Sequence, residues 1–217
     1  MTNVFVIGSA GKVGIRLVRK LAARGHRVGA LHRKREQESD LETAGATPIF
    51  GSIRNIDAPS LANIMHGSDV VVFTAGAGGA GIEQTNAIDG RGLEIAVEAA
   101  KLAGVRRFLL VSAFPEAWRE RDNSEGFENY IAVKKLADAY LADAELDWVI
   151  LRPGTLSDEP GTGLIKANAA IPYGTVTRDD VAERIVGLIE EPAVRRSIVE
   201  LTNGNDPVSH AIAKPRR

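Results

Sequence analysis

The chain has no cysteine, which excludes disulfides, thiolate metal sites and cysteine nucleophiles and fits a reducing compartment. Histidine is scarce: His26, His32, His66 and His210 are scattered, with no two at metal-ligand spacing on one helix, so no metal site is expected. No apolar run approaches membrane-spanning length. The amino terminus passes into a strand-like run at 3–7 without a basic or long apolar stretch ahead of it, so a cytoplasmic chain without a membrane partner is expected. An excess of one charge is missing too: 27 basic residues against 28 acidic give nothing that draws the whole chain to nucleic acid. The terminal Lys214-Pro215-Arg216-Arg217 is too short to supply many phosphate contacts and is expected to be a disordered polar end.

What is present is a rhythm. Short runs rich in Val, Ile and Phe alternate with longer stretches of helical period, the pattern of repeated β-α units around a parallel sheet. Strands are expected at 4–7, 27–31, 47–50, 69–74, 107–112, 148–152 and 198–201, and helices at 13–24, 35–44, 59–66, 85–103, 129–144 and 179–189. Right-handed crossovers then give an α/β, doubly wound Rossmann fold: a mostly parallel sheet in the order 3-2-1-4-5-6-7 with helices on both faces. At 217 residues one domain is expected, with a small substrate-side region at about 154–217. The stretches 118–127 and 157–176 lack clear periodicity and follow strands at their carboxyl ends, where such sheets bind ligands.

The first strand runs into Gly8-Ser9-Ala10-Gly11-Lys12-Val13-Gly14 and then an amphipathic helix carrying Ile15, Leu17, Val18 and Leu21. A diphosphate reaches backbone N–H groups and the positive end of a helix dipole only where no Cβ blocks its approach. Gly8 and Gly11 are read as giving that access and Gly14 as allowing close helix–strand packing. The second strand ends in His32-Arg33-Lys34-Arg35, where an acidic residue would accept from ribose hydroxyls. Arg33, with Lys34, suits a 2′-phosphate and favours NADP(H) over NAD(H); the alternative is a solvated basic helix start.

The seven-residue glycine spacing, G-x-x-G-x-x-G, resembles that of the short-chain dehydrogenase/reductase superfamily. Further segments extend the resemblance. Gly51-Ser52-Ile53 resembles the adenine-flanking segment, and Thr74-Ala75-Gly76 the ribose-contacting turn. Ser112 closes the fifth strand, and Tyr130 and Lys134, four apart on one helical face, form a Y-x-x-x-K pair. Arg152-Pro153-Gly154-Thr155 resembles the loop beside the nicotinamide, which adds Pro153, Gly154 and Thr155 to the expected cofactor contacts.

The resemblance implies roles. Ser112 holds a substrate oxygen, Tyr130 passes the proton, and Lys134 binds the nicotinamide ribose while lowering the phenol's pKa toward neutrality. Pro115, Trp118 and Phe127 are candidates for a substrate wall or for loop anchors.

With Val-Ser-Ala after the fifth strand and Leu-Arg-Pro-Gly-Thr-Leu-Ser-Asp-Glu-Pro-Gly-Thr-Gly later, the chain resembles atypical short-chain reductases over nearly its whole length. It is most similar to compact NAD(P)H-binding proteins labelled sugar epimerases, relatives of NmrA-like and biliverdin-reductase-B-like groups. Only about sixty residues follow Pro153, little protein to hold a nucleotide sugar.

Three functions follow from the resemblance: an NADP(H)-dependent oxidoreductase on a small carbonyl or alcohol, an NAD(P)-dependent sugar epimerase or isomerase with retained cofactor, and a non-catalytic NADP(H)-sensing protein. A small-molecule substrate is the expected partner in the first two, and no oligomeric state is legible.

Overall fold

The computed structural model describes residues 1–118 and 121–209. His210 and the basic end at 214–217 lie outside the described residues. In chain order the first half holds β1 (Asn3–Ile7), α1 (Lys12–Ala23), β2 (Arg27–His32), a 3-10 turn at Arg35–Gln37, α2 (Glu38–Thr43), β3 (Thr47–Phe50), α3 (Ala58–Met65) and β4 (Val70–Phe73). There follow α4 (Ile82–Thr85), a π-helical segment at Asn86–Gly92, α5 (Leu93–Leu102), β5 (Arg107–Val111), α6 (Glu125–Asp143) and β6 (Asp147–Pro153). The last part comprises β7 (Thr155–Ser157), β8 (Leu164–Asn168), β9 (Thr175–Thr177), α7 (Arg178–Glu190), β10 (Ser197–Asn203) and β11 (Asp206–Pro207).

The main sheet runs β11-β8-β10-β6-β5-β4-β1-β2-β3. From β3 through β6 the order is the expected 3-2-1-4-5-6, every pair parallel. The seventh place is filled by β10, parallel to β6. Two further strands extend the edge: β8 pairs antiparallel with β10, and β11 antiparallel with β8.

Strands buried on both faces need apolar residues throughout rather than in alternation, and β1 and β4 show this: Val4–Ile7 and all of Val70–Phe73 are buried. On one face Leu17, Val18 and Leu21 of α1 and Val181, Ile185 and Val186 of α7 pack over the sheet. On the other, Leu61 and Met65 of α3, Leu93 and Val97 of α5, and Leu141 of α6 do the same. Each such side chain, fully withdrawn from water, contributes about 1.5–3 kcal/mol. Along the seam between α1 and α7, Lys20 pairs with Asp179 and Glu183, and Arg24 with Glu183.

The structure corrects several boundaries. The 157–176 stretch, expected to be irregular, contains β8 and parts of β7 and β9, and β7 and β9 form a separate parallel pair. Strands of three residues are too short to show a period, and their partners come from distant sequence. Helix α6 starts four residues before the expected 129, because Ser124 caps it by accepting a hydrogen bond from Phe127 N at 3.3 Å. The helix expected at 85–103 begins at Ile82 and passes through the wider π turn before α5.

The β1-α1 turn is held by contact between bare backbones. A Cβ on Gly14 would run into the carbonyl oxygen of Gly8. Gly14→Ala is therefore expected to destabilise the fold by about 1–3 kcal/mol, the usual range for forced overpacking. Urea denaturation checks it, and an unchanged midpoint would contradict the close packing.

Candidate functional site

The carboxyl ends of β1, β2, β4 and β5 open into one cleft of about 940 Å³. At its floor Gly8 adopts φ +86°, and a Cβ there would lie 2.5 Å from the backbone nitrogen of Ala75. The bareness of Gly8 serves the junction with the β4 turn, and its backbone also lines the cleft. Thr74 completes that junction, its hydroxyl donating to the carbonyls of Ile7 and Gly8 at 3.1 Å each.

Helix α1 then begins at Gly11 with no side chain capping it and no acidic residue in its first turn. Its first N–H groups, beside Ala10, Gly11, Lys12 and Val13 in the cleft wall, are free for an anion. Ser9 is turned away, donating its hydroxyl to Leu31 O at 2.8 Å in the interior.

At the end of β2, Arg33 lines the cleft and has no ion-pair partner among the described residues, while no carboxylate occupies the adjacent position. Lys34 does not reach the wall and sits 3.9 Å from Glu36. Arg35 stacks 4.0 Å above the Phe50 ring and pairs with Glu38. Ser52 and Ile53 line the same end, joined by Gln37 and Arg54, which sequence reasoning did not single out. Thr74, Ala75 and Gly76 form the middle of the wall.

Ser112, Tyr130 and Lys134 line the far end together. Ser112 is anchored by its own N–H on Leu151 O at 2.7 Å, and its buried hydroxyl faces the Asp138 carboxylate. Lys134 is buried, donating to Val111 O at 3.1 Å and to Asp89 at 3.2 Å, with its ammonium 5.9 Å from the centre of the Tyr130 ring. Burial alone would lower the pKa of Lys134, but the negative charges available at Tyr130, Asp89 and Asp138 outweigh it and leave the pKa raised.

Tyr130 departs from the expectation. Its pKa is raised, first by burial; Lys134 opposes this, while Asp89, Asp138 and Tyr173 add to it. The direction is opposite to the lowering implied by the resemblance, chiefly because burial of the phenol outweighs the pull of Lys134.

Asp89 and Asp138 are the residues that sequence reasoning missed. Asp89 sits in the π segment, where one carboxylate oxygen takes Lys134 and the other accepts from Ala77 N at 2.9 Å. A signal existed: Asp89 falls on the buried stripe formed by Thr85, Leu93, Ala96 and Ala100, where a charge needs a partner. Asp138 continues the Tyr130-Lys134 face of α6 and pairs with Arg152 at 2.9 Å. Its pKa is raised by burial, against the pull of Ser112 and Arg152.

Gly14 packs the helix rather than lining the cleft. Pro153, Gly154 and Thr155 stand behind the wall: a Cβ on Gly154 would strike Gly174, Thr155 shares a 2.6 Å hydrogen bond with Tyr173, and Leu156 is the residue of this segment that reaches the cleft. Trp118 and Phe127 also line it, stacked at 5.1 Å. Among the described residues no group of three or more His, Asp or Glu is arranged to hold a metal, and no helix is long and apolar enough to cross a membrane.

The sequence model of a family described as NAD(P)H-binding matches residues 8–192, from the glycine turn after β1 through α7. The chain belongs to that NAD(P)H-binding family. It is 37% identical to the uncharacterised sugar epimerase YhfK of Bacillus subtilis, over 98% of this chain and 99% of that protein. A solved structure of a candidate NAD-dependent epimerase/dehydratase from Bacillus halodurans superposes with TM-score 0.88 at 30% identity, covering 96% of this chain and 97% of the other. ChuY, an anaerobillin reductase from Escherichia coli O157:H7, follows at TM-score 0.80 and 25% identity, covering 93% and 97%. The fold and cofactor class of this chain are thus those of NAD(P)H-binding oxidoreductases and epimerases.

Removing one member of a buried ion pair strands the other. Lys134→Met is expected to cost about 3–5 kcal/mol because Asp89 is left charged and unpaired. Adding Asp89→Asn should restore a large part of that loss. Paired urea titrations read both, and additive losses would show that the two side chains do not act as a pair.

Proposed function

We propose that this chain is a cytoplasmic NADP(H)-dependent oxidoreductase acting on a small carbonyl or alcohol, with Tyr130 as the acid/base. One observation carries the reading: a single cleft holds an unpaired Arg33 at one end, the uncapped start of α1 in the middle and the Ser112-Tyr130-Lys134 group at the other. That order suits an adenosine 2′-phosphate, a diphosphate and a nicotinamide in turn.

The fit can be judged residue by residue. Lys12 and Val13 present backbone N–H groups to a diphosphate at the positive end of a 12-residue helix, with Gly11 bare beside them. Arg33 offers a forked cation to the 2′-phosphate, and Lys134 has an ammonium hydrogen left over for a ribose hydroxyl after its bonds to Asp89 and Val111. The nicotinamide, when bound, supplies or accepts the hydride.

The chain's own residues do the rest. Ser112 has a buried hydroxyl on the cleft wall to hold the substrate oxygen. Tyr130 gives or takes the proton on that oxygen, within a pocket that Trp118 and Phe127 line. The absence of cysteine fits a reducing compartment.

A second reading draws on the name of the Bacillus subtilis relative, a sugar epimerase. It uses the same residues and differs in the outcome: the cofactor is retained and not consumed.

Two measurements test the assignment. Tyr130→Phe is expected to lower turnover by about 10²–10⁴-fold while leaving NADPH affinity nearly intact. Equal turnover by the variant would remove Tyr130 from the chemistry. Arg33→Ala is expected to weaken NADPH binding by about 1.5–3 kcal/mol, ten- to a hundredfold or more, and to leave NADH binding nearly unchanged. Calorimetric titration of both nucleotides decides, and an equal loss for each would refute the phosphate role.

A further inference from the structure

Three cations converge on one carboxylate at the mouth of the cleft. Asp158 follows β7, and its oxygens lie 2.6 Å from Lys12 Nζ, 3.0 Å from a guanidinium nitrogen of Arg178 and 3.6 Å from one of Arg16. Lys12 opens α1, Arg16 lies one turn further along it, and Arg178 opens α7. Lys12 and Arg178 line the cleft beside Gly11, whereas Arg16 does not.

The position of Lys12 calls for an anion. A cation at the start of a helix faces the positive end of the helix dipole. Helix α1 has no acidic residue in its first turn, and the chain supplies the missing charge from 146 residues away, through Asp158. One carboxylate against three cations leaves two positive charges over. The diphosphate of a dinucleotide carries one negative charge on each of its two phosphates and would balance them.

The hold on Asp158 is easily exchanged. Its side chain is 48% exposed and that of Lys12 67%, and exposed ion pairs add little net stability. The other end of the same loop is fastened differently. There the buried Asp180 carboxylate accepts from Thr162 N at 2.9 Å and from Gly163 N at 2.8 Å. The loop between β7 and β8 thus has a fixed end at Thr162 and Gly163 and an exchangeable end at Asp158.

We propose that Lys12 and Arg178 form a cation clasp for the cofactor diphosphate, and that Asp158 is an internal anion that competes with the diphosphate for that clasp. This deepens the oxidoreductase reading and rests on its placement of the dinucleotide. One cation of the clasp comes from the first helix and the other from α7, so the part of the chain beyond β7 also holds the cofactor. Arg33 is suited to the 2′-phosphate alone, whereas the clasp acts on the part that NADPH and NADH share. It sets how tightly a dinucleotide is held, not which one.

Calorimetric titration of NADPH and NADH into the parent chain and four variants tests this. Arg178→Gln is expected to weaken both nucleotides by the same factor, about tenfold, the loss of one charge-assisted hydrogen bond. Lys12→Gln, at a side chain too exposed for its loss to unfold the protein, should act in the same direction. Asp158→Asn should do the opposite and tighten both by about threefold, the scale of one exposed ion pair. Arg16→Gln removes the same charge outside the cleft wall and should change neither affinity by more than about twofold.

Weaker or unchanged binding in Asp158→Asn overturns the proposal, as do unchanged affinities in Arg178→Gln and Lys12→Gln. A loss in Arg16→Gln equal to that in Arg178→Gln also overturns it, because a general positive field would then be the cause. A parent chain that binds neither nucleotide sinks the oxidoreductase reading and the clasp with it. A loss confined to NADPH in Arg33→Ala, with all the clasp variants unmoved, sinks the clasp alone.

Discussion

Everything in the cleft depends on how closely the end of β1 meets the end of β4. Gly8, at φ +86°, places its backbone where any side chain would collide with Ala75, and Thr74 bonds across to Ile7 and Gly8. That contact turns the chain sharply enough for α1 to start beside the strand, and Gly14 lets the helix lie against the turn. The positive end of α1 is thereby aimed into the space between Arg33 and Tyr130. A Cβ at either glycine would change where the helix begins, and with it where its positive end points.

The other end of the cleft is governed by electrostatics in a medium that screens poorly. Lys134, Asp89, Asp138 and Arg152 are removed from water to different degrees, and each charge is tolerated because another stands within about hydrogen-bond reach. Replacing such a cluster with apolar side chains would commonly be neutral or stabilising, so its presence points to chemistry more than to stability. The two ends also respond differently to change. The Arg33 end relies on exposed or backbone groups, whereas the Lys134 end relies on buried pairs.

The fold was largely legible because β1, β4 and β5 are continuous apolar runs and the intervening helices carry strong amphipathic stripes, features that survive in one dimension. The glycine turn, Arg33 and the Tyr130-Lys134 spacing were legible for a similar reason: each is a local pattern. What was not legible arises from distance. Asp89 reaches Lys134 across 45 residues, and Arg152 reaches Asp138 across 14, so no local period announces either. Strands β7 and β9 exist only because each supplies the other with a partner. Burial chiefly set the direction of the Tyr130 shift, and a Y-x-x-x-K spacing records the lysine but not how deeply the phenol is buried.

The central claim is that a nicotinamide dinucleotide lies along this one cleft. Backbone amide NMR during titration with NADP⁺ tests it most directly at 23.2 kDa. The account predicts the largest shifts at Gly8, Gly11, Val13, Ala75 and Ala77, with changes reaching Arg33 and Lys134 at the two ends. Shifts gathered instead in the smaller depression between Arg54 and Glu98, with the β1-α1 turn unmoved, would contradict it.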